Sequence, residues 1–362
     1  MKKILILFSL FTSLHVAAGP VGDQLTSFDN GTVANATTVN ANFSALGQAI
    51  DKVLVSNVVW VAKSGGHFTS IAEALAFISS LPSGSAATAV NPYVIRIAPG
   101  AYQEPTLTVP GYTSLVGSGS KATRIYSQAS PGIAPEKGAT EVRLADFELT
   151  LIDENSGYGI SHVAVDENMH LENINLIVTV ASGAGIFFNG GGSLTLSDTS
   201  IAVNGTDAGS ISGVELRGTA TLEAINCTIT AGGDSDSVFG VNVVGRNTSA
   251  EIDGCAVTTG GSGLVAGVYL DASALTDSTE TPPTATIRNS VLHQTGGDGD
   301  SGTVSGVMNT NVSGTSPKIY IAHTEMNTEA AGDLYSTCHH AYKWNDGGVT
   351  EVETSYCRIL SP

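Results

Sequence analysis

The sequence predicts an all-β fold: a single-stranded right-handed parallel β-helix with an N-terminal capping helix, preceded by a short heptad-patterned helix. Three observations carry that expectation. An eight-residue pattern recurs through the second half of the chain, with apolar residues at its first, third and last places and usually Asp, Asn or a small polar residue at the fifth. A second marker, Gly followed by Val or Ile, keeps phase with it. The 362 residues include 42 Gly and only 6% aromatic and 13% charged side chains, yet 42% are hydrophobic, which suits a Gly-rich packed protein better than a disordered chain.

The copies are VRLADFEL from Val142, MHLENINL from Met169, LTLSDTSI from Leu194, LEAINCTI from Leu222, AEIDGCAV from Ala250, ATIRNSVL from Ala285, IYIAHTEM from Ile319 and TEVETSYC from Thr350. Their starts are 25 to 35 residues apart. The second marker follows six of them by 16 to 21 residues, at Gly159-Ile160, Gly185-Ile186, Gly213-Val214, Gly240-Val241, Gly267-Val268 and Gly306-Val307, and Ala341-Tyr342 takes its place after the next. Two phased markers per repeat describe one coil: a strand, a tight bend at the fifth place, a second strand, a longer loop, then the Gly–Val strand. No coil buries its apolar side alone, so stability comes from stacking at about 4.8 Å. Asp146, Asn173, Asp198, Asn226 and Asn289 at the bends suit a left-handed turn and can ladder their side chains. Leucine-rich repeats are excluded, since no LxxLxLxxN text appears.

Lys2 and Lys3 precede the apolar run Ile4 to Leu14, and Val16-Ala17-Ala18 supplies small residues for cleavage, so residues 1–18 read as a secretory signal peptide. The expected localisation is secreted, extracellular or periplasmic, where cysteines can pair. The net charge of −18 falls to −20 without Lys2 and Lys3. Such a surface repels phosphate backbones and anionic bilayers, so neither nucleic acid nor membrane insertion is expected as a partner.

Residues 19–56 form an N-terminal segment. Val39, Phe43, Leu46, Ile50 and Val53 are spaced as heptad a and d positions, with Thr37 or Thr38 as the cap. Two readings stand: a helix lying on its own domain, or a short coiled coil that makes a homotrimer. The text from Asn30 to Leu46 resembles N-terminal segments of exported bacterial proteins and of phage-tail-like fibres. Residues 57–126 read as the β-helix cap. Trp60-Val61-Ala62 is a strand, Ser70 to Ile78 a helix with Ile71, Ala74, Leu75 and Ile78 on one face, and Val94 to Ile97 a strand ended by Pro99-Gly100. With Gly100-Ala101-Tyr102-Gln103-Glu104 as a GxYxE element, this segment resembles the opening of pectinesterases and other members of the pectin-lyase-like superfamily. The resemblance implies a helix sealing a right-handed parallel β-helix. Residues 127–362 then hold the coils and the C-terminal end.

Alternation along the Gly–Val strands turns Val214, Leu216, Val241, Val243, Val268 and Leu270 inward. One outward row reads Phe187, Glu215, Asn242, Tyr269, Met308, and the next Asn189, Arg217, Val244, Asp271, Thr310. In the superfamily this face usually forms the saccharide groove. On that resemblance Phe187 and Tyr269 stack on sugar rings while Glu215, Arg217 and Asp271 bond hydroxyls. The alternative is a solvated sheet face with a Glu215–Arg217 or Arg217–Asp271 ion pair. The pectinesterase motifs Gln-Asp, Asp-Phe-Ile-Phe-Gly and Gly-Arg-Pro-Trp are absent. Glu215 and Asp271 fall two coils apart in different rows, roughly 12 Å, wider than the ~5–9.5 Å of paired glycosidase carboxylates. The functional expectation is therefore a non-catalytic, polysaccharide-binding or adhesin-like rod, with a diverged pectin-active esterase or polysaccharide lyase as the alternative and no catalytic residue assigned.

No cofactor is expected, with two cation readings left open. Glu223, Glu251, Asp253 and Arg288 share another outward face, either as a solvated cluster or with a metal on Glu223 and Glu251. The loops Gly232-Gly233-Asp234-Ser235-Asp236 and Gly296-Gly297-Asp298-Gly299-Asp300 carry alternating oxygen donors of the kind Ca²⁺ takes, or are plain acidic turns. Cys227 and Cys255 share the sixth place on neighbouring coils, where both a disulfide and a reduced stack fit. Cys338 and Cys357 are expected to bridge and pin the terminal edge.

Overall fold

The structure, a computed structural model, describes residues 35–44, 57–207, 209–273, 281–296, 304–310, 318–330, 335–339, 342–345, 348–351 and 357–360. The chain divides into 1–56 and 57–362. The leader 1–18 lies outside the described residues.

In the first unit a helix runs over 36–44. Its cap is Asn35, whose Oδ1 accepts from Thr37 N–H at 2.9 Å, so the helix starts two or three residues before the Thr37 or Thr38 cap the sequence suggested. Phe43 is 68% exposed, while Leu46, Ile50 and Val53 lie outside the described residues.

The second unit is the β-helix. Each coil contributes a strand before the tight corner, a strand after it and a Gly–Val strand, and every coil-to-coil pairing up to residue 330 is parallel. Among the described residues the post-corner strands, with Tyr335–His339 and Cys357–Leu360 added at one edge, make one sheet of 11. The other two sets merge into one of 18, because Ser156–Glu172 and Ser182–Ser197 each run through both positions without a break. Leu196, Ala224 and Ile252 stand in one column, extended to Leu171 and Leu144 on one side and Ile287 and Ile321 on the other. All are buried, each large member contributing about 1.5–3 kcal/mol.

The corner is set by the backbone. Every described fifth-place residue has positive φ: Asp146 (61°), Asn173 (51°), Asp198 (48°), Asn226 (54°), Gly254 (64°), Asn289 (48°) and His323 (50°). These are the residue types that reach the left-handed region most readily. Part of the expected ladder forms, with Asn173 donating to Asp146 at 2.8 Å, and Asn289 donating to the fourth-place Asp253 at 2.9 Å. From the third copy on, the sixth-place side chain turns inward and donates to the carbonyl two residues back; Phe147 and Ile174 hold that place in the first two. Thr199 does so to Ser197 at 2.9 Å, Cys227 to Ile225 at 3.3 Å, Cys255 to Asp253 at 3.3 Å, Ser290 to Arg288 at 2.6 Å and Thr324 to Ala322 at 3.0 Å. The two cysteines therefore stand in for Ser and Thr. Both are free thiols, the reduced stack rather than the disulfide, with Cys227 N–H on Cys255 Sγ at 3.2 Å. Side-chain hydrogen bonding with Cys255, then burial, pushes the Cys227 thiol up and keeps it protonated.

The marker glycines Gly159, Gly185, Gly213 and Gly240 are required by close approach. A Cβ on Gly240 would sit 2.2 Å from Val257 Cγ1 and 2.5 Å from the Gly267 carbonyl, and one on Gly213 would meet Ile229 Cγ2 at 2.3 Å. The longer loop was expected before the Gly–Val strand. Among the described residues the link before it is short, as between Gly233 and Ser237 or Gly261 and Leu264.

The capping helix Ile71–Ser79 buries Ile71, Ala74, Leu75 and Ile78 on the first coils. Its N-terminus explains the GxYxE element. Glu104, 2% exposed, accepts from Ile71 N–H (2.8 Å), Ala72 N–H (3.2 Å) and Ser70 Oγ (2.8 Å). A carboxylate there meets the unpaired donors and positive end of the helix. Buried Tyr102 donates to the Ala98 carbonyl at 2.9 Å.

At the other end the repeat does not continue. The copy from Thr350 and the marker at Ala341-Tyr342 were expected to add a parallel coil. Instead Tyr335–His339 and Tyr342–Asn345 turn back antiparallel on the last coil, and Gly348–Glu351 and Cys357–Leu360 pair antiparallel with them. Reversed hairpins occupy the open edge that another parallel rung would leave exposed. Cys338 lies directly opposite Cys357 in this pairing.

Candidate functional site: the Gly–Val face

The two outward rows fall in the expected register: Phe187, Glu215, Asn242, Tyr269 and Met308 in one, Asn189, Arg217, Val244, Asp271 and Thr310 in the other. The inward residues Val214, Leu216, Val241, Val243, Val268 and Leu270 are fully buried. A third row stands in register beside them, each residue just before its marker glycine: Ala184, Ser212, Phe239 and Ala266. Tyr158 and Ala184 are likewise paired in register.

This third row makes the face more than a solvated sheet. Tyr158 stacks on Phe187 (centroids 4.7 Å apart, planes at 24°), and Phe239 stacks on Tyr269 (4.5 Å, 10°). Glu215 and Ser212 lie on the one coil between the two aromatic pairs, and Asn242 lies on the Phe239 coil; Glu215 and Asn242 are each 8% exposed and Ser212 1%. Arg217 Nε donates to Glu215 Oε1 at 2.5 Å, and its guanidinium stands 5.6 Å over the Phe187 ring. One of the two expected ion pairs is thus formed, and it coexists with the aromatic ladder. Burial first, then the Glu215 carboxylate, pushes the Tyr158 phenol up, with Arg217 pulling the other way, so the phenol remains a donor.

Two buried atoms on this face, Ser212 Oγ and Asn242 Oδ1, have no hydrogen-bond partner. Unpaired buried polar groups are costly, about 1–3 kcal/mol each. They lie on neighbouring coils in different rows, Ser212 in register with Phe239 and Asn242 with Glu215. Of the residues expected to act together, Phe187, Glu215 and Arg217 converge. Tyr269 faces them across Asn242, and Asp271 lies one row over, its Oδ1 accepting from Ser273 N–H at 2.8 Å. Tyr158, Ser212 and Phe239 were not expected, although their position before each marker glycine was visible in the sequence.

Catalytic carboxylate pairs are not assembled on these rows: the register neighbours of Glu215 are Phe187 and Asn242. Among the described residues no group of three or more His, Cys, Asp or Glu is placed to hold a metal ion. In the Gly232–Asp236 loop, Ser235 is buried and donates to the Asp207 carbonyl at 3.2 Å, so its oxygen is turned away from Asp234 and Asp236. Most of the second loop, 297–300, lies outside the described residues.

No protein-family model matches the sequence, nor does any curated protein. Among solved structures the chain is similar to a pectin methylesterase from Erwinia chrysanthemi (TM-score 0.44, 16% identity, 67% of this chain and 80% of that one). It is also similar to a pectin methylesterase from carrot (0.39, 13%, 76% and 83%) and to the A-module of a mannuronan C-5 epimerase from Azotobacter vinelandii (0.31, 10%, 73% and 94%). The chain's own strand pairings make it a parallel β-helix, and a fold by itself assigns no activity. No helix among the described residues is long and apolar enough to cross a membrane.

Proposed function

We propose that this is a secreted or surface-exposed β-helix that binds polysaccharide along its Gly–Val face without turning it over, as an adhesin-like rod. The observation that carries this reading is the two aromatic stacks, Tyr158/Phe187 and Phe239/Tyr269, on a face that also carries the Glu215–Arg217 pair and the unpartnered Ser212 Oγ and Asn242 Oδ1. Aromatic faces beside convergent polar atoms are how a protein grips a sugar ring and its hydroxyls. The test is a glycan array together with assays for methanol and unsaturated product on methyl-esterified pectin. Binding without product is expected, weakened in Asn242→Leu and in Tyr269→Ala.

A second reading, a diverged pectin-active esterase or lyase, draws on the Glu215–Arg217 pair, since a buried carboxylate beside a guanidinium suits either chemistry. Product release from pectin that disappears in Glu215→Ala or Asp271→Ala would establish it. Residues 19–56 are proposed as a trimerising segment, supported by the exposed Phe43. Light scattering on the mature protein and on a variant lacking 20–56 tests this: a trimer that becomes a monomer is expected, and a monomer in both ends it.

A further inference from the structure

A second groove runs along the helix axis on a different face, formed by the outer side of the pre-corner strands, with a volume of about 420 Å³. Its two rows are in register across successive coils. One reads Thr195, Glu223, Glu251, Thr286, and the other Ser193, Thr221, Ser249, Thr284. We propose that this groove binds an extended neutral oligosaccharide, lengthwise, independently of the Gly–Val face.

Three features select that ligand class. The outward side chains that line it are all hydroxyls apart from two carboxylates, a set that both donates to and accepts from sugar hydroxyls. It repeats from coil to coil at about 4.8 Å, close to the length of one sugar ring, so a chain of identical rings meets like partners along its length. The Thr195 row also runs on to Tyr320, which is 41% exposed, giving an aromatic ring at one end.

The competing occupants fit worse. An anionic glycan or phosphate meets Glu223 and Glu251 on a chain of net charge −18. A divalent cation needs several free oxygens, but the Arg288 guanidinium holds Glu251 and lies 3.5 Å from Asp253. Glu223 is then left as the one carboxylate of the groove without a cation beside it among the described residues.

The experiment is calorimetric titration of the mature protein with cellohexaose, mannohexaose and maltohexaose, with hexagalacturonate and calcium chloride as controls. At least one neutral hexasaccharide should bind. Thr195→Val/Thr286→Val removes hydroxyls without changing shape, and Glu223→Gln keeps hydrogen bonding without charge. The first should weaken binding about tenfold or more, and the second by less. Asn242→Leu and Tyr269→Ala, on the Gly–Val face, should leave this binding unchanged, so failure of either site is read separately. Unaltered thermal midpoints show that the groove variants fold. The proposal is overturned if no neutral hexasaccharide binds at millimolar concentration, if the Gly–Val variants rather than the groove variants abolish binding, or if calcium or hexagalacturonate takes the groove instead.

Discussion

The tight corner and the Gly–Val face lie on the same coils and repeat with the same period, yet they obey different physics. At the corner one backbone conformation is imposed on every coil, so the residues vary only among those that tolerate it: Asp, Asn, Gly and, once, His. On the face the backbone is equally regular, but what matters is which side chains meet across neighbouring coils. There the sequence changes freely from Phe to Glu to Asn to Tyr. A repeat protein thus keeps its architecture in one set of places and leaves another open for binding chemistry.

The sharpest way to break this comparison is at the glycine beneath the face. Gly240→Ala puts a methyl into the Gly267 carbonyl and Val257, and should lower stability by about 3 kcal/mol or more, measured by chemical denaturation. A loss under ~1 kcal/mol would mean the coils slide apart easily.

Next comes the inner side of the same strand system, where His162 lies 4.8 Å from the Phe188 ring and its Nε2 is 3.0 Å from Glu167 Oε2, both residues 2% exposed. Burial holds His162 down to about 4 from its ordinary 6.5, and burial pushes the Glu167 carboxyl up. Below the ordinary value the unfolded chain takes a proton that folded His162 refuses, so its contribution falls as pH drops from about 6.5 to about 4 and levels off below. The full swing is about 3 kcal/mol. Glu167 acts in the opposite direction, favouring the fold at pH values where the unfolded carboxyl is still protonated. The His162→Phe variant separates the two: its stability relative to the native protein should rise steadily as pH is lowered from 7 to 4. A constant difference would contradict the burial of a neutral imidazole.

At the corner, Asn226→Ala should cost about 1–2 kcal/mol, because alanine pays the left-handed penalty, whereas Asn226→Gly should stay within about 0.5 kcal/mol. Smallest of all, Cys227→Ser keeps the inward donor to Ile225 and should change stability by less than about 1 kcal/mol. Adding a reductant to a Cys338→Ser/Cys357→Ser background should change nothing further, since Cys227 and Cys255 are already thiols. In the native background, a fall in thermal midpoint on reduction would report the Cys338–Cys357 bridge, which the directly opposed backbone positions favour.

What could be read from the sequence follows the same division. The coil phase, the inward column through Leu196, Ala224 and Ile252, and the corner at Asn226 were legible because periodicity and left-handed φ restrict residue choice. The rows of the Gly–Val face were legible too, by counting from the marker. The stacks Tyr158/Phe187 and Phe239/Tyr269 were not, because each joins residues of different rows on neighbouring coils, and counting by alternation sorts a row only with itself. The ending was misread for a related reason. Thr350 to Cys357 carries an alternation that serves an antiparallel hairpin as well as a parallel rung, and only the partner strand decides. Asn35 and Thr37 both satisfy the rules for a helix cap, and Asn35 has the side-chain bond.

The most direct measurement is a crystal structure of the mature protein with a methyl-esterified oligogalacturonide. The account predicts an intact, still-esterified chain on the Gly–Val face, its hydroxyls on Ser212 and Asn242 and its rings flanked by the two aromatic stacks. A cleaved or de-esterified product beside Glu215, or a face left empty at saturating sugar, would contradict it.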